Sequence, residues 1–224
     1  IYKRTIWKKI IYMDEIKEWH TKRIIEKLKG NLEKRNMELI FLEKKELLEE
    51  KVKDFVTDGD IISFGGSTTL EETGILDFFR RGNYDFLDRD TCKTREEKDE
   101  IYRKAYFADH YFLSANAVTL DGEIMNVDGY GNRISAMIFG PKQVFVIIGI
   151  NKLVKDLKEG EERIKLFAGP MDAKKLSKMT PCVSTAECMD CKSPDRICNK
   201  YLVYRRESIP NRMKIILINE ELGY

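Results

Sequence analysis

Residues 143–150 read Gln-Val-Phe-Val-Ile-Ile-Gly-Ile, the most apolar run in the chain and rich in β-branched side chains. A run that short and that apolar predicts a strand buried on both faces, the setting of a parallel sheet covered by helices. Shorter apolar runs at 37–42, 61–64, 84–87, 111–114 and 214–219 predict further strands. Stretches with helical spacing stand between them. In 14–29, Ile16, Trp19, Ile24, Ile25 and Leu28 recur among Lys and Glu until Gly30-Asn31. Leu47, Leu48, Val52, Phe55 and Val56 mark a second helix closed by Thr57-Asp58-Gly59-Asp60, and 70–81, 94–108 and 153–167 predict three more. Turns at Asp121-Gly122 and Asp128-Gly129-Tyr130-Gly131 interrupt this alternation. The pattern predicts a Rossmann-like α/β fold: a largely parallel sheet with helices on both faces and ligands beyond the carboxyl ends of the strands.

With 224 residues, 42% of them hydrophobic, the chain has enough apolar surface for a sizeable core. Residues 13–224 read as one domain carrying a cysteine-rich loop at about 180–200. The first twelve residues are basic and aromatic and precede Met13, so they are set apart as an added or upstream segment. Forty basic against thirty-eight acidic residues leave a net charge of +2, which argues against nucleic acid or an anionic membrane surface as partner. No run reaches the roughly eighteen apolar residues of a membrane span, and no secretory leader pattern opens the chain, so the cytoplasm is the expected location.

Gly65-Gly66-Ser67-Thr68-Thr69 follows one predicted strand and precedes a predicted helix. Two glycines let a ligand approach the backbone, the hydroxyls add donors, and helix amides face an anion. No Lys stands at the Walker position, and no third glycine completes a dinucleotide fingerprint. Glu71 and Glu72 are read as capping acids of that helix. Segment 114–133 is dense in Asn, Asp and Gly, and Asn116, Asn126, Asn132 and Arg133 fall where side chains converge on the crevice of an open sheet. Lys142, Asn151 and Lys152 are expected at the same edge, supplying cations for a bound anion. Cys182, Cys188, Cys191 and Cys198 place four thiols within seventeen residues, enough for a tetrahedral zinc or an iron–sulfur cluster, although the spacing matches no common ferredoxin pattern. Cys92 is read as a small buried hydrophobe, and His20 and His110 as structural.

Together the Gly65–Thr68 loop, Ser114-Ala115-Asn116-Ala117-Val118-Thr119-Leu120-Asp121-Gly122, Asp128-Gly129-Tyr130-Gly131-Asn132-Arg133, Gly140-Pro141-Lys142 and Gly149-Ile150-Asn151-Lys152 resemble the LUD-domain (lactate-utilisation) family. The resemblance runs from about 14 to 224, in a branch that also carries Pro181-Cys182, Cys188-Met189-Asp190-Cys191 and Glu221-Leu222-Gly223-Tyr224. It implies the ribose-phosphate isomerase and coenzyme A transferase-like fold. Where such isomerases carry a catalytic Asp this chain has Asn116, and an amide takes up no proton at neutral pH, so isomerase chemistry is not expected. Three roles stand open. One is a component of lactate or hydroxy-acid oxidation, holding an anionic metabolite and working with other redox subunits. The second is a non-catalytic metabolite-binding or regulatory module with a structural metal. The third is a ligand site for a phosphosugar or coenzyme A.

Overall fold

The computed structural model describes residues 2–224. It opens with α1 (Tyr2–Glu33), then β1 (Met37–Leu42), α2 (Leu48–Val52), β2 (Ile61–Phe64), α3 (Thr68–Glu72), α4 (Ile75–Arg81), β3 (Asp85–Phe86) and α5 (Arg95–Lys104). The middle of the chain forms β4 (His110–Leu113), β5 (Ala117–Thr119), β6 (Ile124–Asp128), α6 (Asn132–Ile138), β7 (Gln143–Gly149) and β8 (Leu153–Val154). Then follow α7 (Leu157–Arg163), α8 (Gly169–Lys175), α9 (Pro181–Thr185), β9 (Lys200–Tyr204) and β10 (Met213–Ile218).

Six strands form one parallel sheet in the order β1-β10-β7-β4-β2-β3. Successive side chains of a strand point to opposite faces, and β7 shows the result. Val144, Val146 and Ile148 join the core under α1 and α6, whereas Phe145 and Ile147 join the core under α2 and α4. All five are fully buried, so the apolar run reads as a strand covered twice. On the second face Phe112 stacks on Phe145 with 4.7 Å between ring centroids.

Sequence patterning places the six main strands to within a few residues and misses a second sheet. Strands β8, β5, β6 and β9 form it in that order, with β5–β6 and β6–β9 antiparallel. The turn at Asp121-Gly122 is the tip of the β5–β6 hairpin, and Gly122 takes φ 89° there. Helix boundaries also differ. Instead of stopping at Gly30, α1 runs to Glu33, where Leu28 and Leu32 pack into the core. The predicted helix 70–81 breaks at Gly74, whose φ of 72° separates α3 from α4. Thr94 caps α5 with a reciprocal box: its hydroxyl accepts from Glu97 N at 3.2 Å and Glu97 accepts from Thr94 N. The helix predicted at 153–167 begins at Leu157 and reaches Lys175 through a wider turn at Ile164–Ala168, ahead of Pro170. No helix among the described residues is long and apolar enough to cross a membrane.

After β2 the chain crosses to the α2/α4 face, and after β4 it crosses to the face of α6 and the second sheet. Neighbouring strands that send their connections to opposite faces leave a crevice beyond their carboxyl ends.

Candidate functional site

A crevice of about 580 Å3 opens at that point, within the size range of small-molecule sites. Four strand ends feed it: Gly66 to Thr68 after β2, Ser114 to Asn116 after β4, Lys152 after β7, and Tyr224 beyond β10. The segment 194–199 and α8 close the far wall.

On the floor lies Lys152, 3% exposed. Its ammonium donates to Thr69 Oγ1 at 2.8 Å and to Ser114 Oγ at 3.0 Å. It forms no ion pair with a carboxylate among the described residues, so burial and then the positive charges of Arg163 and Arg133 pull its pKa down to about 7. Asp172, also on the crevice wall, is displaced the other way, because burial holds its carboxyl above the usual carboxylate range. Asn151 Oδ1 accepts from Leu222 N at 3.1 Å and Gly223 N donates to Glu72 at 2.7 Å, which pins residues 222–224 over the buried lysine.

Most residues expected at the site converge here, in differing capacities. Gly66, Ser67, Thr68, Asn116, Asn132, Arg133 and Lys152 line the crevice. Gly65 lies behind it, since a Cβ there would come within 2.5 Å of Arg133 Cγ. Thr69 and Asn126 are buried supports for Lys152 and Arg133. The loop itself is a modest anion holder. Ser67 caps α3 by accepting from Leu70 N at 3.4 Å, but α3 has only five residues, so little helix field develops. Thr68 Oγ1 already accepts from Lys175.

The expectation for Lys142 changes. Lys142 precedes β7 and therefore sits at the amino edge of the sheet, paired with Asp109 at 2.6 Å and away from the crevice. Arg133 reaches the crevice without a free fork. Its Nη1 donates to Asn126 Oδ1 at 2.6 Å and Ser114 O at 3.1 Å, and its Nη2 donates to Val127 O at 2.8 Å and Asn116 Oδ1 at 3.3 Å. Asp128, which caps α6 through the N–H groups of Arg133 and Ile134, stands 3.6 Å from its Nε. The guanidinium is a brace between β4, β6 and α6 rather than a bidentate clamp. Cys92 is half-buried rather than buried, while His110 is structural, with Nε2 3.0 Å from Asp60.

Arg89, Asp172, Lys175 and Tyr224 also line the crevice, and sequence reading assigned none of them. Arg89 lies against Phe64 at 5.3 Å and leaves no space for a Cβ on Gly66. Its Nε is buried with no hydrogen-bond partner among the described residues, and Asp90 Oδ1 stands 3.6 Å away. These residues sit on helices and turns far from the glycine loop in sequence, and only the folded arrangement brings them to it.

Around the cysteines, Cys182, Cys188, Cys191 and Cys198 line one small cavity between α8, α9 and β9. Burial raises the Cys198 thiol, the neighbouring Cys188 and Cys191 push in the same direction, and Arg196 opposes them.

Among solved structures, a DUF162 family protein from Deinococcus radiodurans is similar at 11% identity, over 88% of this chain and 96% of that one, with a TM-score of 0.48. Ribose 5-phosphate isomerase A from Neisseria gonorrhoeae is similar at 15% identity over 50% of this chain and 54% of that one, TM-score 0.34. The delta subunit of eIF2B from Chaetomium thermophilum is similar at 14% identity over 53% and 50%, TM-score 0.35. No curated protein sequence matches the chain. The family model of the LUD domain matches residues 25–218, which takes in every strand and nearly the whole crevice wall, and this chain belongs to the LUD domain family.

Proposed function

We propose that the crevice binds a small anionic metabolite, a short hydroxy acid such as lactate or a phosphate-bearing relative, as part of hydroxy-acid utilisation. The observation that carries this reading is Lys152: a buried amine held by two hydroxyls and left without a carboxylate partner among the described residues. An incoming carboxylate or phosphate supplies the missing counter-charge, restores the proton, and gains from the low dielectric around it. Arg89 adds a further cation to the wall, whereas Lys175 there is already paired with Glu71 at 2.7 Å. Membership of the LUD domain family supports the hydroxy-acid class.

Lys152 and Asp172 are both drawn towards neutrality, one from above and one from below. Titratable groups perturbed by burial on one crevice mark a functional site, which suits a catalytic subunit as well as a metabolite holder.

Titration calorimetry with lactate and with inorganic phosphate tests the reading. Binding is expected at pH 6 and should weaken towards pH 8 as the amine loses its proton, with Lys152→Met at least about tenfold weaker at pH 6. Equal affinity of wild type and variant, or no binding of either anion, overturns the proposal.

A further inference from the structure

The four cysteines are not absorbed by this reading, and their arrangement points beyond a single ion. Four sulfurs bound to one zinc at about 2.3 Å stand about 3.8 Å apart and leave no water-sized gap among them. Here all four cysteines line one cavity of about 30 Å3. The described residues contain no group of three Cys, His, Asp or Glu side chains placed to hold one metal ion.

The rest of the lining suits an oxygen-sensitive, electron-rich group. Ile164, Pro170, Ala173 and Ile197 give it an apolar wall, which limits solvent access. Arg196 supplies a cation beside the thiols, donating to Cys191 O at 2.6 Å and to Cys198 O at 3.1 Å. The Thr180 hydroxyl lies 3.1 Å from Cys182 Sγ, the kind of hydrogen bond to sulfur that tunes a cluster. Cys188 is anchored to the wider turn before α8 through its N–H, which donates to Lys165 O at 2.9 Å. Arg196 and Ile197 line both this cavity and the crevice, so the two sites share a wall.

We infer that Cys182, Cys188, Cys191 and Cys198 hold a polynuclear iron–sulfur cluster, set against the ligand crevice. The inference is independent of the ligand proposed above, and its test needs no ligand. The full chain is purified without oxygen and incubated with ferrous iron, sulfide and a thiol reductant, and in parallel with zinc alone. A brown protein is expected, with iron and acid-labile sulfide in equal amounts and more than one of each per chain. Cys191→Ala and Cys198→Ala should lower the iron content at least fivefold, whereas Cys92→Ser should retain it. Circular dichroism reports whether the variants fold; if they do not, the wild-type stoichiometry decides. A colourless protein with one zinc per chain, uptake of neither metal, or iron that survives in folded cysteine variants overturns the inference.

Discussion

Lys152 makes the crevice a compromise between stability and function. Its folded value near 7 lies below its ordinary 10.5, so between the two the unfolded chain binds more protons than the folded one. Stability therefore rises with pH across that window, while below pH 7 the full penalty of a buried ammonium is present. Lys152→Met should flatten the rise and be more stable than wild type at pH 6, by about 2 kcal/mol given the usual cost of unpaired buried charge. Urea midpoints of both proteins at pH 6 and pH 9 check this, and parallel pH profiles would refute it. Arg133 behaves in the opposite sense. Removing it takes a donor from four oxygen acceptors around β4, β6 and α6, of which Asn116 Oδ1 keeps the Val127 N–H, and Arg133→Ala should cost about 3 kcal/mol in the same assay. At this scale the sequence was informative where chemistry follows directly from a strand end. Ser114 to Asn116 and Lys152 are legible that way. It placed Arg133 on the crevice but was silent on its hydrogen bonds, because nothing local reveals that its donors are already engaged, and it misled for Lys142, which lies before its strand instead of after it.

Among the elements, the strands were legible and the second sheet was not. Strands such as β7 announce themselves by unbroken apolar content, whereas β9 reads Lys-Tyr-Leu-Val-Tyr and is exposed or half-buried throughout. Its only signature is a partner: Met125 beside Val203 and Val127 beside Tyr201. The link from β9 to β10 is held by a buried pair, Arg212 to Glu207 at 2.7 Å. Around it, Tyr204 donates to Glu207 at 2.6 Å and Arg212 Nη2 donates to Met137 O at 3.0 Å. This ties the second sheet to α6 and the main sheet through two charges. Glu207→Ala leaves the guanidinium buried without its counter-ion, and a loss of about 3 to 5 kcal/mol is expected. Hydrogen exchange should speed up first in β9 and in the segment 205–212. An equal effect across all strands would show that this link is not a local fastening.

For the whole molecule, the order β1-β10-β7 carries a consequence for how the chain acquires its structure. Met37 pairs with Met213, and Met213 pairs with Val144, so β10 is the wedge between two strands made long before it. Until it arrives, β1 and β7 have no common partner, and both expose unpaired edges. Contacts this distant in sequence carry a large closure entropy and slow folding. Pulse-labelled exchange during refolding should show β1 amides becoming protected only together with β10, after β4 and β7. During synthesis on the ribosome, the nascent chain therefore waits with an open seam through the middle of its sheet, a standing invitation to chaperones and to mispairing between neighbouring chains.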